Sequence, residues 1–358
     1  MKTTSRFYRA LVIVFILSFF GLTLTATSET IRVCEIDCEY NTIGDAIRDS
    51  QSGDTIRVQN GNYEENLRID KEVTLAGTSS RWVRINPARN DRPTVQVGPS
   101  SVSVTFKDLT VSSGEGTGNT GILVRGKANL SVEDGIIRGA GSGLRSLDSA
   151  AVELKGVEIR GAVEAVATRN SSRLVSHNGL IREAGTGFVT SDSSELTVIG
   201  TEISESSKTG IIGEDTGKIN VLSSTISDNE GPGIKLTDFT RLDMEESQVK
   251  SNGGGGLLLN DSANVRLTKN VLSYNDSVNL GIISKECGFS GPIEGFFGEV
   301  EGTGNDIVPA DSDSICPERF SRVTSNEGGG YSYPFKPSTY AFVGLIGAAS
   351  LLFLFSSL

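Results

Sequence analysis

The sequence predicts an all-β fold, a single-stranded right-handed parallel β-helix: a three-sided solenoid with a capping helix at its N-terminal end. Three observations predict it. The middle of the chain repeats every 22–23 residues. Apolar residues recur at fixed positions within each repeat. Glycine is abundant, with 42 residues in 358, which suits a chain of tight turns and not a helical bundle.

The repeat is read by cutting the chain at 129, 151, 173, 195, 218, 241 and 264. The second position is then Leu130, Val152, Leu174, Leu196, Ile219, Leu242 and Val265. The fourth is Val132, Leu154, Ser176, Val198, Val221, Met244 and Leu267. Alternation of period two marks a strand. A ninth position, Ile137, Ile159, Ile181, Ile203, Ile226, Val249 and Leu272, marks a second strand. A third opens at Gly143-Leu144, Gly187-Phe188, Gly210-Ile211, Gly233-Ile234 and Gly256-Leu257, with Ala165-Val166 as the exception. Three short strands in one repeat make one coil, and coils stack at about 4.8 Å, so equivalent residues become vertical neighbours. A leucine-rich repeat needs a Leu and Asn spacing that is absent, and a propeller needs longer units.

The segments before and after the repeat follow in chain order. Residues 1–28 carry Lys2, Arg6 and Arg9, an apolar run and small residues, which reads as a secretory signal, with an uncleaved anchor as the alternative. Residues 29–286 are the β-helix with its N-terminal cap. Within it Thr42-Ile43-Gly44-Asp45 starts a short helix with a capping box, and Ile43, Ala46 and Ile47 give that helix an apolar face to plug the open core. TIRV, LRI and VTL between Thr55 and Leu75 read as the first coils. Val104, Phe106, Leu109 and Val111 form another, followed by an insertion from Gly114 to Asn119. Residues 287–324 read as an irregular C-terminal cap and 325–340 as a linker. Residues 341–358 are apolar and would span roughly 27 Å as a helix, so they read as a transmembrane helix or a processed anchor signal. The expected location is the extracellular face of a membrane.

Export favours disulfides, and local pairing predicts Cys34–Cys38 and Cys287–Cys316, one at each end of the domain; zinc held by all four is the alternative. Asn229, Asn252 and Asn275 are spaced by 23, the register of an Asn ladder. Sequons occur at Asn129, Asn170, Asn260 and Asn275, and the ladder competes for the last.

The stretch from residue 40 to 77 resembles the opening of pectin-lyase-like β-helix proteins. The matching residues are Ile43, Ala46, Ile47, Gly53-Asp54-Thr55-Ile56, Gly61-Asn62-Tyr63, Glu65, Ile69 and Val73 to Gly77. That group includes pectinesterases, NosD-like periplasmic β-helix proteins and surface proteins of unassigned role. With the coils from 103 to 283, the resemblance covers about two-thirds of the chain. It implies the fold well and an activity poorly.

Chemistry is sparse. The paired aspartates of pectinesterases and the Asp-Pro-His-Asp motif of β-helix epimerases are absent. The acids Glu133, Asp134, Glu153 and Asp243 are scattered and read as solvated surface charges. His177, the single histidine, reads as an exposed turn residue rather than a general base. One His and one internal Met, Met244, argue against copper handling. The match of Gly116 to Gly121 to GxGxxG is rejected because strand-like sequence follows it. Trp82 reads as a coil-flanking packing residue, with sugar stacking as the alternative. The sequence thus supplies no catalytic residue, cofactor-binding residue or metal ligand.

One charged feature is in register. Arg138, Arg160 and Arg182 each follow the ninth-position Ile, 22 apart. Glu158 and Glu183 stand beside the stripe and could neutralise it, leaving a paired, solvated ladder. The functional alternative is contact with an acidic glycan through forked donors on carboxylates. A net charge of −11 argues against nucleic acid. The expected partners are an acidic polysaccharide or another cell-envelope component, and a membrane through the C-terminal segment. The first expectation is therefore a surface β-helix that binds or scaffolds. A polysaccharide lyase or hydrolase and a NosD-like metal-processing protein are the alternatives.

Overall fold

The computed structural model describes residues 28–290, 296–309, 314–324 and 329–332. The expected signal, but for its last residue, and the apolar C-terminal run lie outside these. Among the described residues no helix is long and apolar enough to cross a membrane.

Three parallel sheets wind into a solenoid. The first face has 13 strands and the second and third have 11 each. The repeat frame maps onto them strand by strand. Asn129–Glu133, Ala151–Lys155 and Arg173–His177 stack on the first face, with Leu130, Val152 and Leu174 in register. Ile136–Arg138, Glu158–Arg160 and Leu180–Arg182 stack on the second, with Ile137, Ile159 and Ile181 in register. Ser142–Ser146, Glu164–Thr168 and Thr186–Thr190 stack on the third. The second-, fourth- and ninth-position aliphatics are all buried and belong to one continuous core.

In the regular coils the corners are turned by residues in the left-handed region. After the first face they are Asp108, Asp134, Gly156, Asn178 and Gly200 in successive coils, types that tolerate positive φ. The recurrent Gly opening the third face has a different cause. A Cβ on Gly210 would lie 2.6 Å from the Gly233 carbonyl oxygen and 2.7 Å from Ile226 Cγ2, so the next coil has room only for hydrogen.

Both ends are closed. The first strand is Thr30–Val33, one coil earlier than the sequence repeat suggests, and it pairs with Asp54–Val58. The Cys34–Cys38 disulfide, Cα atoms 5.5 Å apart, folds the chain back so that Tyr40 covers that strand edge. The helix Ile43–Asp49 buries Ile43, Ala46 and Ile47 against the core. Thr42 Oγ1 accepts from Asp45 N at 3.2 Å. The carboxylate of Glu65, one coil away, accepts from Ile43 N at 2.8 Å and Gly44 N at 2.7 Å and satisfies the remaining end of that helix.

The C-terminal end departs from expectation. Within the segment expected to be irregular, Glu299–Thr303, Asp306–Val308 and Ile315–Cys316 form one more complete coil. An insertion after Ile283 lengthens the spacing and hides this coil from the repeat frame. The 3-10 helix Glu318–Thr324 then buries Phe320 and Val323 as an end plug, with Phe296 edge-on to Phe320 at 5.8 Å. The Cys287–Cys316 disulfide, Cα atoms 5.6 Å apart, ties the plug region down. Within the stretch expected as linker, Gly329–Ser332 is a strand. It runs antiparallel to Glu299–Thr303 and ends the first face.

Candidate functional site

The second face carries the candidate site because its outward positions are the ones that hold the arginines. Arg138, Arg160 and Arg182 occupy the last position of three consecutive strands and pair directly in register. Alternation along a strand turns them outward while the preceding Ile fills the core.

Their electrostatic situations differ. Arg182 Nη2 donates to Glu158 Oε1 at 2.8 Å and its Nε to the same oxygen at 3.2 Å. This bond raises the Arg182 pKa above its ordinary value. Arg160 Nη1 lies 3.5 Å from that oxygen as well. Glu183, the other expected neutraliser, stays 4.0 Å from Arg182. Arg138 has neither ion pair nor side-chain hydrogen bond among the described residues. Burial, then the guanidinium groups of Arg84 and Arg160, push its pKa down. The stripe is thus neutralised at its C-terminal end and bare at its N-terminal end.

Arg84 was not found from the sequence. It lies on Val83–Asn86, a coil outside the regular repeat frame, and stands two coils before Arg138. It pairs in register with Thr110 and so stands in the Ile136 column, one outward position before the column of Arg138.

Irregular connections flank this level of the face. The turn over residues 78–82 touches the start of the strand Thr110–Ser112, where Thr110 Oγ1 donates to the Ser80 carbonyl at 2.5 Å. The connection 87–94 leaves from the other end of Val83–Asn86. Its Pro87 and Asn90 crowd Gly114, the first residue of the insertion found in the sequence. Trp82 is not packed as expected. It is 54% exposed, because the turn lifts it off the coil while Val83 and Ile85 fill the core behind it. The Arg81 guanidinium stacks on its ring at 5.3 Å.

The remaining sequence candidates lie elsewhere. Asn229 Nδ2 donates to Asn252 Oδ1 at 2.8 Å, and Asn252 Nδ2 to Asn275 Oδ1 at 2.8 Å. Asn275 passes the chain on to Asn279 Oδ1, also at 2.8 Å. A second ladder at the preceding corner escaped notice: Ser247 N donates to Asn270 Oδ1 at 2.9 Å and Asn270 Nδ2 to Asn305 Oδ1 at 3.0 Å. His177 ends a strand rather than sitting in a turn, with Nε2 3.8 Å from Glu153 Oε1 on the first face, away from the arginines. Among the described residues no three His, Cys, Asp or Glu side chains are grouped so as to hold a metal ion.

Comparison with known proteins gives the following. The sequence family described as "Right handed beta helix region" matches residues 93–211 and 142–290, together more than half of the chain. No curated protein sequence matches. Among solved structures, ORF18 of Geobacillus virus E2 matches with a TM-score of 0.56 at 14% identity, over 76% of this chain and 57% of that one. The chain therefore spans little more than half the length of the viral protein. The mannuronan C-5 epimerase AlgE4 A-module of Azotobacter vinelandii matches with a TM-score of 0.49 at 13% identity, over 74% and 89% of the two chains. Pectin methylesterase from carrot matches with a TM-score of 0.45 at 15% identity, over 70% and 84%. At such identities the viral protein shares the fold alone.

Proposed function

Taking as premise that this chain belongs to the right-handed β-helix family, we propose that it is an exported surface protein, held at the outer face of a membrane, whose second face binds an acidic glycan. The observation that carries the reading is Arg138: a half-buried guanidinium with no acidic partner among the described residues, with Arg160 in register on the next coil. Like charges this close are unfavourable in a free protein, and an incoming carboxylate relieves the repulsion. A guanidinium fork suits a carboxylate geometrically. Stacked coils repeat the donor at about 4.8 Å, so a polymer can be met more than once. Two disulfides and an apolar run at each end of the sequence support export and anchoring.

The test is direct binding of polygalacturonate, alginate and hyaluronan to the purified protein. Replacing Arg138, Arg160 and Arg182 together by Gln should abolish binding, and unchanged binding would remove the proposal.

A second reading, a polysaccharide lyase, is favoured by one observation. Arg138 stands outward without an acidic partner among the described residues, where a bound uronate would meet it. Ultraviolet absorbance from unsaturated products on the same three polymers would replace the binding reading with this one.

A further inference from the structure

Trp82 is the chain's single tryptophan. Holding an indole more than half exposed forgoes the burial that normally places this residue in a core or interface. Nothing in the packing of its coil requires it there, since Val83 and Ile85 fill the interior.

The turn that lifts it is well fixed. Thr78 N donates to Val58 O at 3.1 Å, Trp82 N to Ser79 O at 3.1 Å and Val83 N to Ser79 O at 2.9 Å. Thr110 Oγ1 anchors the turn to the next coil through Ser80. Arg81 holds the ring by cation–π contact while the ring stays open to solvent. Arg84 follows on the strand Val83–Asn86, and Arg138 and Arg160 lie two and three coils further along the same face, one outward position over.

We infer that Trp82 and Arg84 form a ring-stacking subsite on the second face, two coils before Arg138, taking the pyranose ring and the carboxylate of a uronic-acid polymer. The inference rests on the acidic-glycan reading and adds to its carboxylate contacts a contact with the sugar ring. A pyranose ring presents an apolar C–H face beside polar edges, and an indole next to a guanidinium matches both. A phosphate chain presents charge without a ring, so the arginines would hold it and Trp82 would not.

The sole tryptophan is its own reporter. Polygalacturonate titrated into the full chain should change Trp82 emission saturably, and inorganic polyphosphate should leave it unchanged. Trp82→Ala should weaken polygalacturonate about tenfold, and Trp82→Phe by no more than about threefold. Far-ultraviolet dichroism confirms that each variant folds. If Trp82→Ala binds polygalacturonate like the wild type while Arg138→Gln/Arg160→Gln loses it, the stacking subsite is wrong and the acidic-glycan reading survives. If Arg138→Gln/Arg160→Gln also binds like the wild type, that reading falls and the subsite with it.

Discussion

Glu158 on one coil holds Arg182 on the next, Oε1 to Nη2 at 2.8 Å, and by the same oxygen it lies 3.5 Å from Arg160 on its own strand. A single carboxylate thus mutes two of the three arginines that the sequence aligns. Glu158→Gln should unmask both and add one positive charge to the face. Binding to polygalacturonate should tighten about fivefold, or about 1 kcal/mol, with a steeper salt dependence. Isothermal titration at two salt concentrations measures this, and weaker binding would count against an electrostatic site.

The ladder makes a stability prediction. Asn252 is fully buried; its Oδ1 accepts from Asn229 N and Nδ2, and its Nδ2 donates to Asn275 Oδ1 and to the Ile226 carbonyl. Asn252→Ala orphans several of these groups and should cost about 2–4 kcal/mol in denaturant unfolding. Asn252→Asp should cost more, because an ionised carboxylate accepts only and would face acceptors. Equal stability of Asp and Asn here would refute the hydrogen-bond assignment.

The two disulfides close loops of different length, with sequence separations of 4 and 29. On chain-entropy grounds the first stabilises by about 2 kcal/mol and the second by about 3–4 kcal/mol. Cys287→Ser/Cys316→Ser should therefore lower the unfolding midpoint more than Cys34→Ser/Cys38→Ser.

On the first face Lys107 Nζ meets Glu133 Oε2 at 2.7 Å. That bond, ahead of the pull of Lys155, lowers the Glu133 pKa below its ordinary value of 4.5. A depressed carboxylate pKa contributes stability above the ordinary value and loses it as the pH falls through the folded one. Lys107→Gln should raise the Glu133 titration midpoint in carboxyl-resolved NMR. The variant should be less stable than the wild type at neutral pH, and the gap should close as the pH falls through the lowered Glu133 midpoint.

How much of this was legible follows from what repetition exposes. The core columns from Leu130 to Leu272 were readable because each coil imposes the same burial on the same position. The cystines were readable from local spacing at both ends. The second ladder was not, because the step from Asn270 to Asn305 crosses an insertion and breaks the 23-residue interval. The final coil, Glu299–Thr303 onward, was hidden by the same insertion. Arg84 and Trp82 sit where the coil departs from its repeat, so no alignment of units points to them. The partnership of Glu158 with Arg182 rather than Arg138 is a matter of rotamers, which spacing alone does not specify.

The most direct test of the central claim compares single arginine variants in polygalacturonate binding at fixed salt. Arg138 is bare, and Arg182 is already engaged by Glu158. Arg138→Gln should weaken binding about tenfold and Arg182→Gln by no more than about twofold. Equal losses from the two, or none from Arg138→Gln, would contradict the account.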